Sequence, residues 1–171
     1  MQLYYKDFLI RDWMDGDRDA AAEVISSVLA EYGLAWDPTG ADRDVLEVEA
    51  AYWEKGGEFW VVECQGKLVG TAAYYPVERG EGAVEVRKMY LLPEARGQGL
   101  GRFLLQALEK AIREAIPSGS ASRQFQQIYV ETASVLKEAV QLYERSGYQP
   151  TTGVETSRCD RIYIKVLSAE C

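Results

Sequence analysis

Apolar residues recur along the chain at two spacings, one typical of strands and one typical of helices. The stretch Tyr4 to Ile10 predicts a first strand. A helix is then predicted from Asp17 to about Tyr32, ending at Gly33 as C-cap, with an apolar side formed by Ala21, Val24, Ile25, Val28 and Leu29. After a loop, Asp42 is the candidate N-cap of a second helix from Val45 to about Glu54.

The rest of the pattern predicts a sheet interrupted by two more helices. The segments E-F-W-V-V-E-C and L-V-G-T-A-A-Y-Y-P-V flank Gln65-Gly66-Lys67 and so predict a hairpin, followed by a strand from Val84 to Leu92. A helix from about Gly99 to Ala115, a loop at 117–122 and a strand from Gln127 to Glu131 come next. A helix from Ser134 to Ser146, capped by Gly147, precedes the closing strand R-I-Y-I-K-V-L, and Tyr148 to Thr152 is a candidate for one more strand.

Composition narrows the class of protein. With 171 residues, 47% of them hydrophobic and 27% charged, the chain is expected to be one soluble domain spanning 1–171. There is no apolar run near the length of a membrane span and no signal-peptide pattern, so a cytoplasmic protein with no membrane partner is expected. The net charge of −8 disfavours nucleic acid as a partner and favours amine-bearing partners, unless it serves solubility alone.

Two residue counts limit the chemistry. Three widely spaced cysteines, Cys64, Cys159 and Cys171, imply no disulfide framework. The chain has no histidine, which excludes Ser-His and Cys-His nucleophiles and most zinc enzymes, and we expect no metal. A general acid or base must therefore be a carboxylate, Tyr, Lys or Cys.

The most informative segment runs from the strand V-E-V-R-K-M-Y-L-L through Pro93 into R-G-Q-G-L-G and then directly into a helix. A glycine-rich turn at a helix N-terminus presents free backbone N–H groups and the positive end of the helix dipole, which is an arrangement that binds phosphate. The segment has neither the Lys-Ser/Thr of a Walker loop nor the spacing of G-x-G-x-x-G. The alternative is a glycine turn that binds no ligand.

The turn matches Arg/Gln-x-x-Gly-x-Gly/Ala, and the chain thereby resembles the GNAT superfamily of acyl-CoA-dependent N-acetyltransferases. The resemblance covers nearly the whole chain and implies the α/β (α+β) GNAT fold: a mixed, mostly antiparallel sheet of six to seven strands with four helices. It further implies that acetyl-CoA binds as co-substrate, with its pyrophosphate on the loop formed by Arg96, Gly97, Gln98, Gly99, Leu100, Gly101 and Arg102.

The resemblance also implies candidate roles on the preceding strand. The backbone of Met89 would lie near the thioester carbonyl and that of Leu91 along the pantetheine arm, although both side chains also suit a core. Glu85, four residues before Met89, is the candidate general base; the alternatives are a substrate ligand or an Arg-paired strand residue. Glu131, at the end of the next strand, is a second carboxylate that could share either role, and we assign it to substrate binding.

Tyr143 lies in A-V-Q-L-Y-E-R-S-G-Y, which is similar to the family segment whose tyrosine protonates the departing sulfur; the alternative for Tyr143 is packing. Family members often carry Asn where this chain has Leu136, and Ser134 is the candidate replacement. Trp36, in a polar loop, is a candidate substrate contact or a core residue.

These features predict an enzyme that transfers acetyl from acetyl-CoA to the primary amine of a small molecule by direct attack. The alternatives are acetylation of a protein N-terminus or lysine, and a non-catalytic acyl-CoA-binding regulator. The expected assembly is a monomer or homodimer.

Overall fold

A mixed sheet of eight strands forms the centre of the computed structural model, which describes residues 1–117 and 124–168. The strands are β1 (Gln2–Tyr5), β2 (Phe8–Asp12), β3 (Glu58–Cys64), β4 (Lys67–Pro76), β5 (Ala83–Leu91), β6 (Gln127–Thr132), β7 (Gln149–Pro150) and β8 (Arg161–Val166). Their order is β1-β2-β3-β4-β5-β6-β8-β7, and within the described ranges each neighbouring pair is antiparallel except β5 and β6. The predicted α/β class is confirmed. The loop predicted at 117–122 lies outside the described residues except for Pro117, and so does Cys171.

The predicted first strand, Tyr4 to Ile10, is wrong: the chain forms a hairpin there instead. Lys6 adopts a left-handed conformation, with φ of 51°, and β1 and β2 pair on either side of it with Tyr5 opposite Phe8. Such tight turns favour Gly or Asn at positive φ, so a lysine gave no turn signal. The extra strand is one reason why the sheet has more strands than the six to seven predicted. The two-residue strand β7 lies within the candidate at Tyr148 to Thr152.

In the part of the chain that the structure describes, four α-helices accompany the sheet: α1 (Arg18–Glu31), α2 (Arg43–Leu46), α3 (Leu100–Glu114) and α4 (Lys137–Arg145). The predicted helix from Val45 to Glu54 is wrong in extent, because α2 ends at Leu46 and a separate π-helical turn spans Glu49–Trp53. This break keeps Val45, Val48 and Tyr52 all fully buried against one core. No helix in the described ranges is long and apolar enough to cross a membrane.

The two faces of the sheet bury different apolar clusters. On one face, Leu104, Leu105 and Leu108 of α3 belong to the same apolar cluster as Trp60 and Val62 of β3. On the other, Ala21, Ile25 and Leu29 of α1 belong to the same cluster as Phe59 and Val61 of β3. Alternate residues of β3 therefore serve opposite faces, as strand geometry requires.

A β-bulge interrupts β5 where it passes between β4 and β6. Thr71 pairs with Tyr90 and Ala73 pairs with Arg87, so two residues of β5 lie opposite Ala72 alone. Lys88, the first residue of the bulge, has φ of 51°, and its carbonyl accepts a hydrogen bond of 2.6 Å from the Thr71 hydroxyl. The parallel ladder with β6 ends at Val86–Val130, just before the bulge. Beyond this point β5 has an edge with no ladder partner.

Asp42 ties this bulge to two other parts of the chain. Its carboxylate is fully buried and accepts hydrogen bonds of 2.6 Å from Lys88 Nζ and from both terminal nitrogens of Arg158. It also accepts from the Asp37 backbone N–H at 2.9 Å. Asp42 occupies the predicted N-cap position of α2, but its side chain makes no cap hydrogen bond to the helix. Burial opposes ionisation of Asp42, but Arg158 and Lys88 outweigh it and lower its pKa to about 2.

We predict that Asp42→Asn lowers the free energy of unfolding by ~3–5 kcal/mol at pH 7, because it leaves Lys88 and Arg158 buried with an uncharged partner. A carboxyl whose pKa falls from 3.8 to about 2 on folding contributes stability above pH 4 that is lost as pH falls towards 2. This contribution to the free energy of unfolding is roughly 2 kcal/mol. Urea unfolding of the parent should therefore give a lower free energy of unfolding at pH 3 than at pH 7, and Asp42→Asn should lack the part of this decrease that is due to Asp42.

Asp12→Asn is the matched control, since Asp12 is half-exposed and pairs only with the N-terminus among the described ion pairs. It should cost less than about 1 kcal/mol. Equal losses in the two variants would contradict the structural role of Asp42.

Candidate active site

A large cavity of the described chain lies where β5 ends, between the start of α3 and one side of α4. Its volume is about 550 Å³. It is lined by the predicted positions Met89, Leu91, Arg96, Gly97, Gly99, Leu100, Gly101, Arg102 and Tyr143, with Val28 of α1 and its C-cap residue Tyr32 at one side. Residues from the glycine turn, β5 and α4 therefore meet around one space, as the sequence predicted.

The glycine turn supplies the donors of this cavity. Among the described residues, no acceptor is paired with the backbone N–H groups from Gly97 to Arg102, which lie in the turn and the first turn of α3. Gly97 and Gly99 have φ of 74° and 84°, a conformation that other residues rarely adopt. A Cβ on Gly101 would lie 3.6 Å from Leu142 and 3.9 Å from Leu91, so it would point across the cavity. Free N–H groups at a helix N-terminus suit an anion such as pyrophosphate.

The two arginines of the turn differ in what they contact. The Arg96 guanidinium forms a bidentate pair with Glu31 of α1, at 2.7 and 2.8 Å, and donates to the Leu91 carbonyl at 2.9 Å. Its charge is therefore already neutralised, and its role is to join the turn to α1 and β5. Arg102 is exposed at the cavity and forms no ion pair with any residue that the structure describes. Of the two, Arg102 is the cation available to a ligand.

Gln98 points away from the cavity that it was predicted to line. Its side-chain amide donates to the Glu94 carbonyl at 3.2 Å. Its own carbonyl accepts hydrogen bonds of 2.8 Å from the Tyr5 hydroxyl and from Lys6 Nζ. The β1–β2 hairpin thus supports the glycine turn from outside, and only the backbone N–H of Gln98 is left for a ligand.

Met89 and Leu91 lie at the open edge of β5. Because the ladder to β6 stops at Val86, backbone groups on this edge, apart from the Leu91 carbonyl that is bonded to Arg96, are available to pair with an extended ligand as a further strand would. Both residues line the cavity, so the opening and the glycine turn are continuous. This is the arrangement that the family resemblance implied for the pantetheine arm.

Two small cavities continue the opening towards Glu85. The first, of about 50 Å³, is lined by Met89, Tyr143 and Glu131 among others. The second, of about 40 Å³, is lined by Glu85 and Glu131 together with Thr156, Arg158 and Cys159. Tyr143 lines the first small cavity and Glu85 lines the second. The two small cavities have Tyr90 and Glu131 in common, among other residues.

Tyr143 lies where the large cavity and the first small one meet. Its ring is buried among Tyr148 and Tyr163, and no described residue hydrogen bonds its hydroxyl. Burial, with a smaller contribution from Tyr90 and Cys159, raises the pKa of Tyr143 well above its ordinary value. The phenol is thus protonated at neutral pH, as a proton donor must be.

Glu85 is only 3% exposed, and it accepts one hydrogen bond, of 3.2 Å from Arg87. Its pKa is raised: burial favours the protonated form, and nearby Glu131 adds to this, while Arg87 and Arg79 oppose it. A carboxylate with few hydrogen bonds and a raised pKa is a better proton acceptor than an exposed one.

Glu131 is more heavily engaged than Glu85. Its carboxylate accepts from the backbone N–H groups of Glu155 and Thr156, the latter at 3.3 Å, and from the Thr156 hydroxyl at 2.9 Å. These bonds stabilise its charge and hold the chain segment that covers the small cavities. Glu131 therefore fits a substrate contact better than a base.

The other predicted positions lie elsewhere or change character. Trp36 packs against the core on the α1 face and lines none of the three cavities. Leu136 lines the large cavity, where relatives often place Asn. Ser134 does not replace that residue, since its N–H and hydroxyl both donate to Asp160 at 2.6 Å.

Sequence reasoning missed a group of buried charges beside Glu85. Arg87 lies 3.5 Å from Asp44, and Lys88 lies 3.3 Å from the same carboxylate. Arg158 and Cys159 complete the wall of the smallest cavity. Arg87 and Lys88 directly precede Met89 in the strand and offered a weak local signal. Arg158 offered none, because its partner Asp42 is 116 residues away.

A family model and curated relatives match this chain. A model described as an acetyltransferase (GNAT) domain matches residues 55–150. The Escherichia coli K12 protein named "Uncharacterized N-acetyltransferase YjgM" is 41% identical over 137 residues, which cover 78% of this chain and 77% of the relative. "Probable N-acetyltransferase camello" of Xenopus tropicalis is 28% identical over 108 residues, covering 63% of this chain and 46% of the relative. This chain thus spans less than half the length of the latter relative.

Solved structures share the fold at low identity. An acetyltransferase from Streptococcus agalactiae 2603 superposes with a TM-score of 0.80 at 20% identity, covering 95% of this chain and 100% of that one. The structure of yncA from Salmonella typhimurium with its cofactor acetyl-CoA superposes with a TM-score of 0.71 at 22% identity, covering 96% of each chain. The predicted GNAT fold is confirmed. By family model, sequence identity and fold, the chain belongs to the GNAT family of acetyl-CoA-dependent acetyltransferases.

Proposed function

We propose that the chain transfers acetyl from acetyl-CoA to the primary amine of a small molecule, with Glu85 as general base and Tyr143 as general acid. The observation that carries the proposal is the continuity of the site. A cavity with unpaired N–H groups leads along the open edge of β5 to a buried carboxylate, and a buried phenol lies on the way.

The residues present fit acetyl-CoA. The N–H groups of Gly97 to Arg102, with the Arg102 guanidinium, would hold its pyrophosphate, and the edge of β5 at Met89 and Leu91 would pair with its pantetheine arm. The cavity volume of about 550 Å³ is in the range of ligand sites. Bound acetyl-CoA supplies the thioester carbonyl that the amine attacks.

The chain's own groups then perform three tasks. The Met89 N–H, at the bulge, would polarise the thioester carbonyl. Glu85, with its raised pKa, would take the proton that the attacking ammonium must lose. Tyr143 would give its proton to the departing sulfur, since it is protonated at neutral pH and its hydroxyl has no hydrogen-bond acceptor among the described residues. Each proton thus moves between a carboxylate or phenol and the substrate, and neither step needs a histidine.

The size of the space beside Glu85 favours a small acceptor. This cavity holds about 40 Å³ and is lined by Thr156, Arg158 and Cys159 among others. Such a space suits an aminomethyl group more readily than the backbone of a protein N-terminus. A slender lysine side chain is the strongest competing acceptor.

Thiol release from acetyl-CoA in the presence of an amine panel tests the proposal. The panel should contain small primary amines, free amino acids, a lysine-containing peptide and a peptide with a free N-terminus. We expect turnover with small amines. Turnover with peptides alone supports the protein-acetylating alternative, and binding of acetyl-CoA without turnover supports the regulator.

Gly101→Asp tests the anion site. Asp is favourable near a helix N-terminus and Gly101 has no left-handed φ, so the fold should persist, while its carboxylate points across the cavity. We expect acetyl-CoA affinity to fall by about tenfold or more by calorimetry, because a like charge enters the phosphate site. Gln98→Glu adds the same charge outside the cavity and should have a smaller effect. Equal affinities of both variants and the parent would place the pyrophosphate elsewhere.

Tyr143→Phe tests the acid. It removes only the hydroxyl, so we expect single-turnover acetyl transfer to slow by ~10²-fold while acetyl-CoA affinity and stability change little. Tyr148→Phe is the matched control, because that ring contacts Tyr143 but its hydroxyl donates to Glu109. A Tyr143→Phe rate equal to the parent rate would reduce Tyr143 to a packing residue.

Glu85→Gln tests the base. A base acts in its ionised form, so parent kcat/KM should rise with pH through the raised pKa of Glu85, and the variant should lack this rise. We expect turnover near neutral pH to fall by ~10²-fold, with acetyl-CoA affinity unchanged. Glu63→Gln, a change in a glutamate that pairs with Arg11, should leave the profile intact. A parent-like profile in Glu85→Gln would remove Glu85 from the base role.

A further inference from the structure

Arg79 is a buried cation that neither the motif nor the proposed chemistry uses. It lies in the connection between β4 and β5, and its side chain is 11% exposed. Its Nη1 donates to the Gly153 carbonyl at 2.6 Å, and its guanidinium lies over the Tyr129 ring, 5.5 Å from the centroid. These contacts orient the guanidinium towards Glu85 and Glu131, which line the cavity proposed for the acceptor amine.

The rest of the guanidinium faces three carboxylates. Arg79 Nε lies 3.8 Å from Glu85, and Nη2 lies 3.7 Å from Glu131 and 3.5 Å from Glu155. Both nitrogens are buried, and neither has a hydrogen-bond acceptor among the described residues. Leaving buried donors unpaired costs stability, so a group selected for stability alone would be expected to bond one carboxylate closely. The position between the three is instead suited to sharing one positive charge among them.

That charge is important because Glu85 and Glu131 are both nearly buried and line the same small cavity. Two neighbouring carboxylates in a site of low polarity favour protonation of one of them, and a cation within about 4–6 Å opposes it. A base must remain ionised to accept a proton, and it must stay beside the acceptor amine.

Other charged or titratable groups lie near Glu85 and its cavity. They are Arg87 and Lys88 from its own strand, Tyr75 from β4, Glu131 from β6, and Glu155, Arg158 and Cys159 from the segment before β8. Arg87 shares its charge with Asp44, while Arg158 and Lys88 are bonded to Asp42. Arg79 is therefore the described cation whose ion pairs all lie with Glu85, Glu131 and the rim carboxylate Glu155.

We propose that Arg79 is a positioning residue: its guanidinium holds Glu85 and Glu131 side by side and keeps Glu85 ionised. Through Gly153 it also anchors the segment that Glu131 binds at Glu155 and Thr156, so one side chain sets both the charge and the cover of the acceptor cavity. The benefit to catalysis rests on the proposed base role of Glu85, whereas the effect on ionisation does not.

The ionisation can be measured without knowing the acceptor. In protein labelled with ¹³C at the glutamate side-chain carboxyl, NMR titration gives the midpoint of Glu85, with the signal assigned by its loss in Glu85→Gln. We expect Arg79→Gln to raise this midpoint by about one pH unit. Arg79→Lys should restore most of the parent value, because it restores the charge. Arg11→Gln, which removes the same charge beside Asp17 and Glu63, should leave Glu85 unchanged.

An unchanged Glu85 midpoint in folded Arg79→Gln overturns the proposal, and so does an equal shift in Arg79→Lys. Arg79→Met is the second neutral variant and keeps the stem that packs on Tyr129. If both neutral variants fail to fold while Arg79→Lys folds, the role is structural and the proposal is overturned. With an acceptor from the amine panel, the acidic limb of kcat/KM should move by the same amount in Arg79→Gln. If no amine is acetylated, the proposed function fails while the NMR result still decides the role of Arg79.

Discussion

The buried ion pairs of Asp42 are the interaction on which the shape of the site depends. Asp42 takes hydrogen bonds from Lys88 in β5 and from Arg158 in the segment before β8, and its own loop follows α1. A buried carboxylate is stable only with such partners. Separating the three segments would therefore leave the Asp42 charge without its partners, and this cost holds the segments together. Lys88 is also the left-handed residue of the bulge, and the same contact that neutralises Asp42 therefore holds the backbone kink in β5.

The kink divides the site into two environments. On one side, the glycine turn and Arg102 form a positive, open cavity suited to phosphate. On the other, Glu85 and Glu131 lie in a narrow space lined by charged groups that are mostly paired with one another. The two sides of the kink thus match the charges of the proposed substrates, an anionic acetyl donor and an amine acceptor, in a chain whose net charge is −8.

Local patterns predicted the parts of the site that depend on nearby residues. The glycine turn, α3 and the position of Tyr143 on α4 follow from spacing within about twenty residues, and the structure brings them to one cavity. The hairpin at Lys6 was missed because a lysine took the positive φ that usually marks Gly or Asn. Asp42 lies at the predicted N-cap position of α2, but its side-chain partners could not be predicted because they are 46 and 116 residues away. The sequence left Trp36 as either a substrate contact or a core residue, because the composition of its loop does not show what the side chain packs against.

The placement of the two proposed proton-transfer groups has a mechanical consequence. Glu85 and Met89 belong to one strand, so backbone and a single bulge set their spacing. Tyr143 is carried by α4, whose distance from β5 depends on side chains packed across an open cavity. A displacement of α4 would change the distance from the Tyr143 hydroxyl to a bound sulfur. The Glu85 carboxylate would keep its distance from the Met89 N–H. Removal of the ammonium proton is therefore the rigid half of the proposed reaction, and protonation of the leaving group is the half that heat or a loosened helix would impair first.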